Sequence, residues 1–546
     1  MNKINIQLFA EPEGKAEQIG GNEKQIINNN LDEQVKSTNI KTTEELEPGI
    51  CATTLSGGLE VPIMYKEILA GEYIESWKID QITRLITPTV PTLDRLYMIV
   101  KAFFVPYTRV WKDAEKFIAG KASADLGTGT QLTIPTASFT MGGTSQGGNL
   151  INFAKRYSLA HRYGGQAISN LGQTSTVINL LPLRGYRAIY NDFIRNKEYE
   201  TAYTEYNETT PTATEISQTN PSSYGSLAAT YTLAPSQSMK CYLTNIKKNI
   251  NTASGNGGTT DYMPTSNELK YNHLDWQSRF QNEKQRAINA IKNDWDIIAE
   301  MGGTQPVTAD RVEFLGKLEY ELNFQQLSQT TPPGQSGQTP LGTTGSFSYT
   351  RINGEIFSHK QFLQGGFIHV LATVQTPKRY EKSIPKELIK TNVNELYRPG
   401  LAKKEVQTLK VAEIINNGGN QNTAVAYQPA WAEYKRMPNI CTGDMQSDQF
   451  TQPASSDRLA SASQWHSFIP GTQPITTISN NYFNNYAEVN RIIARNNTYE
   501  FYDGANSTFP IFIQEPILQI SEHRIKTKLP IEWNDLNSVD KAEKQR

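Results

Sequence analysis

The stretch Leu96-Tyr97-Met98-Ile99-Val100-Lys101-Ala102-Phe103-Phe104-Val105-Pro106 constrains this chain more than any other. It is the most apolar part of the sequence, rich in β-branched and aromatic residues and bounded by prolines, which reads as a strand buried on both faces. Such a strand needs a sheet covered on each side. With Lys101 inside it and Pro106 at its end, it falls short of the roughly 18 apolar residues of a membrane span, and no longer apolar run exists. No membrane insertion is therefore expected, and the apolar hint at Met1–Ala10 is too short for a signal peptide.

Composition agrees with strands joined by long polar loops. Charged residues make up 20% and hydrophobic ones 37% of 546 residues, while Thr, Ser, Asn, Gln and Gly are abundant. That length exceeds one ordinary core, so two or three domains or one core with large insertions is expected. A net charge of −1 gives no general attraction to nucleic acid or anionic lipid. Cys51, Cys241 and Cys441 are too far apart for a disulfide framework or a zinc site, and point to synthesis in a reducing cytosol.

Residues 1–57 are polar and lack a periodic apolar face, so they read as a flexible arm. Through Pro48 the arm holds five lysines against nine acidic residues and is net acidic. Trp111–Gly120 reads as a short helix stopped by glycine. Leu180–Asn196 reads as a helix with Pro182 in its first turn. Leu183, Tyr186, Tyr190, Phe193 and Ile194 form its buried stripe, with Arg184, Arg187, Asn191 and Arg195 directed elsewhere. Tyr199–Asn272 is dominated by Thr, Ser, Asn, Gly and Tyr, the composition of an elaborated surface insertion. A second helix is expected at Arg286–Ile298, on the stripe Ile288, Ile291, Trp295 and Ile298. A Pro/Gly/Gln/Thr loop follows at Thr331–Gly345, and Gly365–Val374 reads as a glycine-led apolar strand.

Several of these segments resemble motifs of the major capsid proteins of Microviridae, small icosahedral single-stranded DNA phages, and especially of the gokushovirus branch. Leu181-Pro182-x-Arg184-x-Tyr186-x-x-x-Tyr190-Asn191 is similar to the family's Leu-Pro-x-Arg-x-Tyr helix. The run from Thr87 through Phe104, Pro106 and Trp111 resembles its N-terminal signature, and Arg311–Gly316 with Gln325–Thr330 an internal element. Tyr427-Gln428-Pro429-Ala430-Trp431-Ala432-Glu433-Tyr434-Lys435-Arg436-Met437-Pro438, with Gly443 after it, is the most specific match. Asn490–Ala494 and Ile511–Gln514, with Pro530 later, follow the family's C-terminal order.

The resemblance implies a mainly β viral jelly roll of about eight antiparallel strands with long loop insertions and a few helices. In that arrangement residues 58–198 and 273–546 build the jelly roll and a C-terminal extension, and residues 199–272 are a candidate protrusion. It implies that about 60 copies self-assemble into the simplest icosahedral shell around a circular single-stranded DNA genome. The partners implied are a small basic DNA-packaging protein, a minor pilot protein and a host receptor contacted by surface loops. The location implied is the virion, assembled in the host cytoplasm.

Catalytic chemistry finds little support. Gly143-Thr144-Ser145-Gln146-Gly147 matches a nucleophile elbow, yet glycines replace the strand and helix that such an elbow needs. The six histidines are scattered, without ligand spacing, and no phosphate-binding loop appears, so neither enzyme activity nor a metal or cofactor is expected. The helix arginines could meet DNA phosphates, but structural ion pairs are the commoner use. Tyr427, Trp431 and Tyr434 could stack bases; packing in a core or between subunits is the commoner use of large aromatics. A jelly-roll carbohydrate-binding protein is the alternative that composition leaves open.

Overall fold

A computed structural model describes residues 44–55, 57–85, 94–118, 132–139, 158–164, 176–195, 200, 202–212, 215, 231–237, 239–243, 247–248, 311–328, 344–380, 383–391, 393–399, 406–414, 424–446, 456–457 and 517–528. In chain order the first strands are β1 (Glu44–Glu45), β2 (Gly49–Leu55), β3 (Val61–Ile68), β4 (Tyr73–Leu85) and β5 (Tyr97–Pro106). Then come β6 (Thr136–Phe139), β7 (Thr176–Asn179), β8 (Lys247–Lys248), β9 (Glu313–Glu321), β10 (Phe324–Ser328), β11 (Thr344–Gln361) and β12 (Gly366–Gln375). The last are β13 (Arg379–Tyr380), β14 (Val406–Lys410), β15 (Ala424–Pro429), β16 (Ser456–Asp457) and β17 (Ile517–Lys528).

Two antiparallel sheets carry the fold. One has six strands, with β1 and β2 both paired to β17, followed by β4, β11 and β10; the other has the order β3-β12-β5-β9. The chain is thus mainly β with a two-sheet architecture, and six strands face four among the described residues, where a regular jelly roll has two sheets of four. Trp77, Ile79, Phe357 and Ile525 from the first sheet and Val61, Met98, Val100 and Val370 from the second enter one hydrophobic cluster.

Sequence pattern explains the difference between the layers. All ten positions of β12 are buried, because β3 and β5 flank it and both of its faces are covered. Its opening glycine lies so close to β5 that a Cβ on Gly366 would stand 2.3 Å from the Val105 carbonyl oxygen. β5 is buried along most of its length, as its composition requires. β4 alternates instead, with Ile74, Trp77 and Ile79 inward and Lys78 and Arg84 outward, the pattern of a sheet open to water on one side.

Three sequence expectations are corrected. The polar arm ends before residue 57, since Glu44–Glu45 and Gly49–Leu55 are strands and Leu55 is fully buried. Ile50 and Ala52 face out while Cys51 and Leu55 face in, an alternation hidden by the small residues between them. The Leu180–Asn196 helix is α-helical only over Leu181–Ile189, where it is buried all round, Arg184 and Arg187 included, and continues as a π-turn over Tyr190–Ile194, where Asn191 is buried and Phe193 only half-buried. Of the expected Trp111–Gly120 helix, the described part is helical over Ala114–Ile118 and starts three residues later than expected, after a separate turn at Tyr107–Val110.

The stretch 199–272 is not all surface. Glu215, Tyr231, Leu233, Ala234, Tyr242 and Leu243 within it are buried against neighbouring elements. The Arg286–Ile298 helix, the Ser145 loop, Asn490–Ala494, Ile511–Gln514 and Pro530 lie outside the described residues, as does most of Thr331–Gly345.

Candidate functional site: motif helix and aromatic surface

Leu181–Ile189 begins where the Asn179 side-chain oxygen accepts the Leu181 N–H at 2.9 Å, and Pro182 follows where no N–H is needed. Tyr186 then fastens the helix to both neighbours. Its hydroxyl donates to the Glu60 carbonyl at 2.6 Å and accepts the Ala234 N–H at 2.9 Å, joining the residue before β3 to the 231–237 segment. Gly185 meets β12, where a Cβ would stand 2.6 Å from His369 Nε2. His369 is fully buried, shares a 2.9 Å hydrogen bond with Tyr163, and is pushed by burial down to a pKa of about 3.

The polar residues of this helix bind protein. Arg184 is 3% exposed and forms a two-pronged pair with Glu215 at 2.8 and 3.0 Å, while its third nitrogen donates to the Val110 carbonyl at 3.1 Å. The Tyr231 hydroxyl donates to the same carboxylate at 2.6 Å. Arg187 lies over the Tyr231 and Tyr203 rings at 4.4 and 5.2 Å, and burial lowers its pKa. Asn191 both donates to the Tyr203 carbonyl and accepts the Tyr203 N–H, each at 2.9 Å. Tyr190 donates to Glu200 at 3.3 Å and packs its ring 4.6 Å from Tyr203. The helix therefore laces Glu200, Tyr203, Glu215 and the 231–234 segment onto the sandwich, and its buried Arg184 and Arg187 have no surface to offer a phosphate chain.

The N-terminal motif lies alongside. Phe104 and Pro106 end β5, and Trp111, buried, donates from Nε1 to Thr209 at 2.9 Å, while Thr209 in turn donates to Asp113.

The C-terminal motif builds a different object. β14, β15 and β8 form a small sheet around Glu413, which accepts from Lys386 at 3.2 Å and from the Tyr242 hydroxyl at 3.0 Å. Tyr427 pairs with Thr408 and Lys247 in this sheet, and Pro429 ends its strand. Trp431 adopts φ 61°, a left-handed turn held by its N–H donating to Gln407 at 3.2 Å. Gln407 donates onward to Glu433 at 2.7 Å, and Lys390 pairs with Glu433 at 2.8 Å. Burial works to raise the Glu433 pKa, yet the hydrogen bonds from Gln407 and Lys390 prevail and hold it below the usual range.

This frame projects Tyr434 outward. Its ring lies 5.9 Å from Tyr397 and 4.5 Å from the Lys390 ammonium, and Trp431 meets Tyr397 edge-on at 5.4 Å. Pro438 is half-buried, and Gly443, at φ 60°, opens a short helical turn. Sequence reading singled out Tyr434 but not the exposure of Leu388, Val393, Leu396 and Met437 on the segments that meet at its ring. They obey no helical or strand period, so their exposure left no signal. Among the described residues no group of three or more His, Cys, Asp or Glu side chains could hold a metal, and no helix is long and apolar enough to cross a membrane.

Comparison with known proteins places these motifs in one lineage. A family described as Capsid protein (F protein) matches residues 34–246 and 258–509. The capsid protein VP1 of Spiroplasma virus 4 is 30% identical over 165 residues, which span 30% of this chain and 28% of that relative. The capsid protein VP1 of Bdellovibrio phage phiMH2K is 23% identical over 451 residues, 71% of this chain and 79% of the relative. Both relatives are Microviridae. With both motif regions inside the matched blocks and a two-sheet β fold beneath them, the chain belongs to the phage capsid protein (F protein) family.

Proposed function

We propose that this chain is the coat subunit of a small icosahedral phage, about 60 copies closing a shell around circular single-stranded DNA. The observation that carries this reading is the family match across both 34–246 and 258–509, on a chain whose motif residues hold its own segments together. Function then resides in surfaces, and no catalytic centre is invoked. Host attachment is assigned to part of 199–272. The two matched blocks leave residues 247–257 between them, a polar run that includes Asn251–Gly257, and such loops adapt to partners at modest entropic cost.

A net charge of −1 means that the chain does not neutralise a packaged genome unaided, and a separate small basic protein supplies that charge, with a minor pilot protein as a further virion component. Purified subunits are expected to bind single-stranded DNA weakly, with a shallow dependence on salt. Virions are expected to protect circular single-stranded DNA from nuclease and to contain a small basic band on a gel. Steeply salt-dependent, tight binding by the subunit alone, or virions with no basic component, would contradict this division of labour.

A further inference from the structure

Leu388 to Ile440 hold seven of the nineteen exposed large hydrophobic side chains among the described residues. Leu388 is 76% exposed, Val393 54%, Leu396 48%, Tyr397 49%, Tyr434 57% and Met437 87%. They come from two short segments that meet at the Tyr434 ring. Leu396 donates its N–H back to the Val393 carbonyl at 3.3 Å, Tyr397 packs on Tyr434, and Lys390, two residues from Leu388, covers the Tyr434 ring. Met437 follows Tyr434 after a turn in which the Arg436 N–H bonds to the Ala432 carbonyl at 2.9 Å.

Exposed clusters of this kind in a soluble domain mark an interaction site. We propose that this surface is a subunit contact of the shell, covered there by a second copy of the same chain; the inference rests on the assembly reading above. Its composition decides between occupants. Aromatic residues, Met and Arg are the types enriched at protein interfaces, and here Tyr397 and Tyr434 pack on each other, with exposed Arg398 next to the first and exposed Arg436 and Met437 just after the second in the chain. A phosphate chain would gain nothing from Leu388, Val393, Leu396 and Met437, and two cations of this region are already held by carboxylates, Lys390 by Glu433 and Lys410 by Glu395.

The surface is also preorganised. Tyr434 is held by the left-handed turn at Trp431 and by the Glu433 pairs to Gln407 and Lys390, so little side-chain freedom remains to be lost on contact. A neighbouring copy therefore meets a fixed aromatic anchor with aliphatic flanks, the arrangement that concentrates binding energy in a few residues. A family whose members coat virions needs such contacts between copies, and a capsid subunit free in solution leaves them uncovered.

Hydrogen exchange on the wild-type protein tests this without altering the fold. Backbone amides in 386–398 and 431–441 should exchange more slowly in assembled particles than in free subunits; equal exchange in both states overturns the proposal. Met437→Asp and Leu388→Asp, at positions open to water, should leave the circular dichroism spectrum of the subunit unchanged and cut particle yield by about tenfold or more. Unchanged yield, or full yield with loss of DNA or of adsorption to cells, would assign the surface to another partner and refute a subunit contact. Failure of the wild-type chain to assemble at all would instead refute the assembly reading.

Discussion

Gly185 and Arg184 lie side by side on the motif helix and show how closely single residues are specified here. Arg184 and Glu215 are both almost wholly removed from water, so each is tolerated only because the other is present. Glu215→Gln is expected to destabilise the subunit by about 3 kcal/mol or more, because it leaves a buried guanidinium without its counter-charge; urea unfolding of the two proteins measures it. Burial also lowers the pKa of His369 to about 3 and of His523, which accepts from Trp77 Nε1 at 3.1 Å, to about 4. Both are neutral when folded and take up a proton near pH 6.5 when unfolded. Their contribution to stability is complete above pH 6.5 and is lost as pH falls from there toward about 4 for His523 and about 3 for His369. The loss by pH 5 is about 4 kcal/mol for the two together. Thermal unfolding should show this fall between pH 7 and pH 5, and His523→Gln should remove about half of it; a flat profile would contradict the assignment.

Elements differ in how plainly the sequence announces them. β5 and β12 were legible because both of their faces are buried and their residues say so without any phase to resolve. β17 was not, because its pattern is inverted: Gln519, Ser521 and His523 point into the sandwich while Leu518 and Ile520 point out. Inside, Gln519 donates to Ser521 at 2.8 Å, and Thr83 bonds to Tyr320 across the two sheets at 3.0 Å, so polar groups fill that part of the interior. The motif helix was legible as a helix, and the structural ion pair preferred for its arginines is the one Arg184 makes with Glu215, but their burial was not legible, because the partners Glu215 and Tyr231 come from a stretch that composition alone marks as surface loop. That division predicts the outcome of two deletions. Removing 251–266 is expected to leave particle yield unchanged and to reduce adsorption to host cells, whereas removing 209–260 takes away both anchors and should give no folded subunit. Normal folding of the larger deletion would show that Glu215 and Tyr231 do not anchor the helix.

At the scale of the whole molecule, β2 near one end of the described chain and β17 near the other pair along seven residues of the same sheet. The sandwich is therefore completed only when the two ends meet, and the 199–272 insertion returns to it, placing Tyr231, Leu233 and Ala234 in the same hydrophobic cluster as the sheets. Such a design suits a coat subunit, in which the core stays fixed while loops and surfaces answer to neighbours and hosts. A coat subunit of this kind must close into a shell of defined size. Mass measurement of particles assembled from the 546-residue, 61.2 kDa chain checks this, with a single species near 3.7 MDa expected for about 60 copies. A chain that remains monomeric at concentrations where virion proteins assemble, or particles spread over a continuous range of masses, would contradict it.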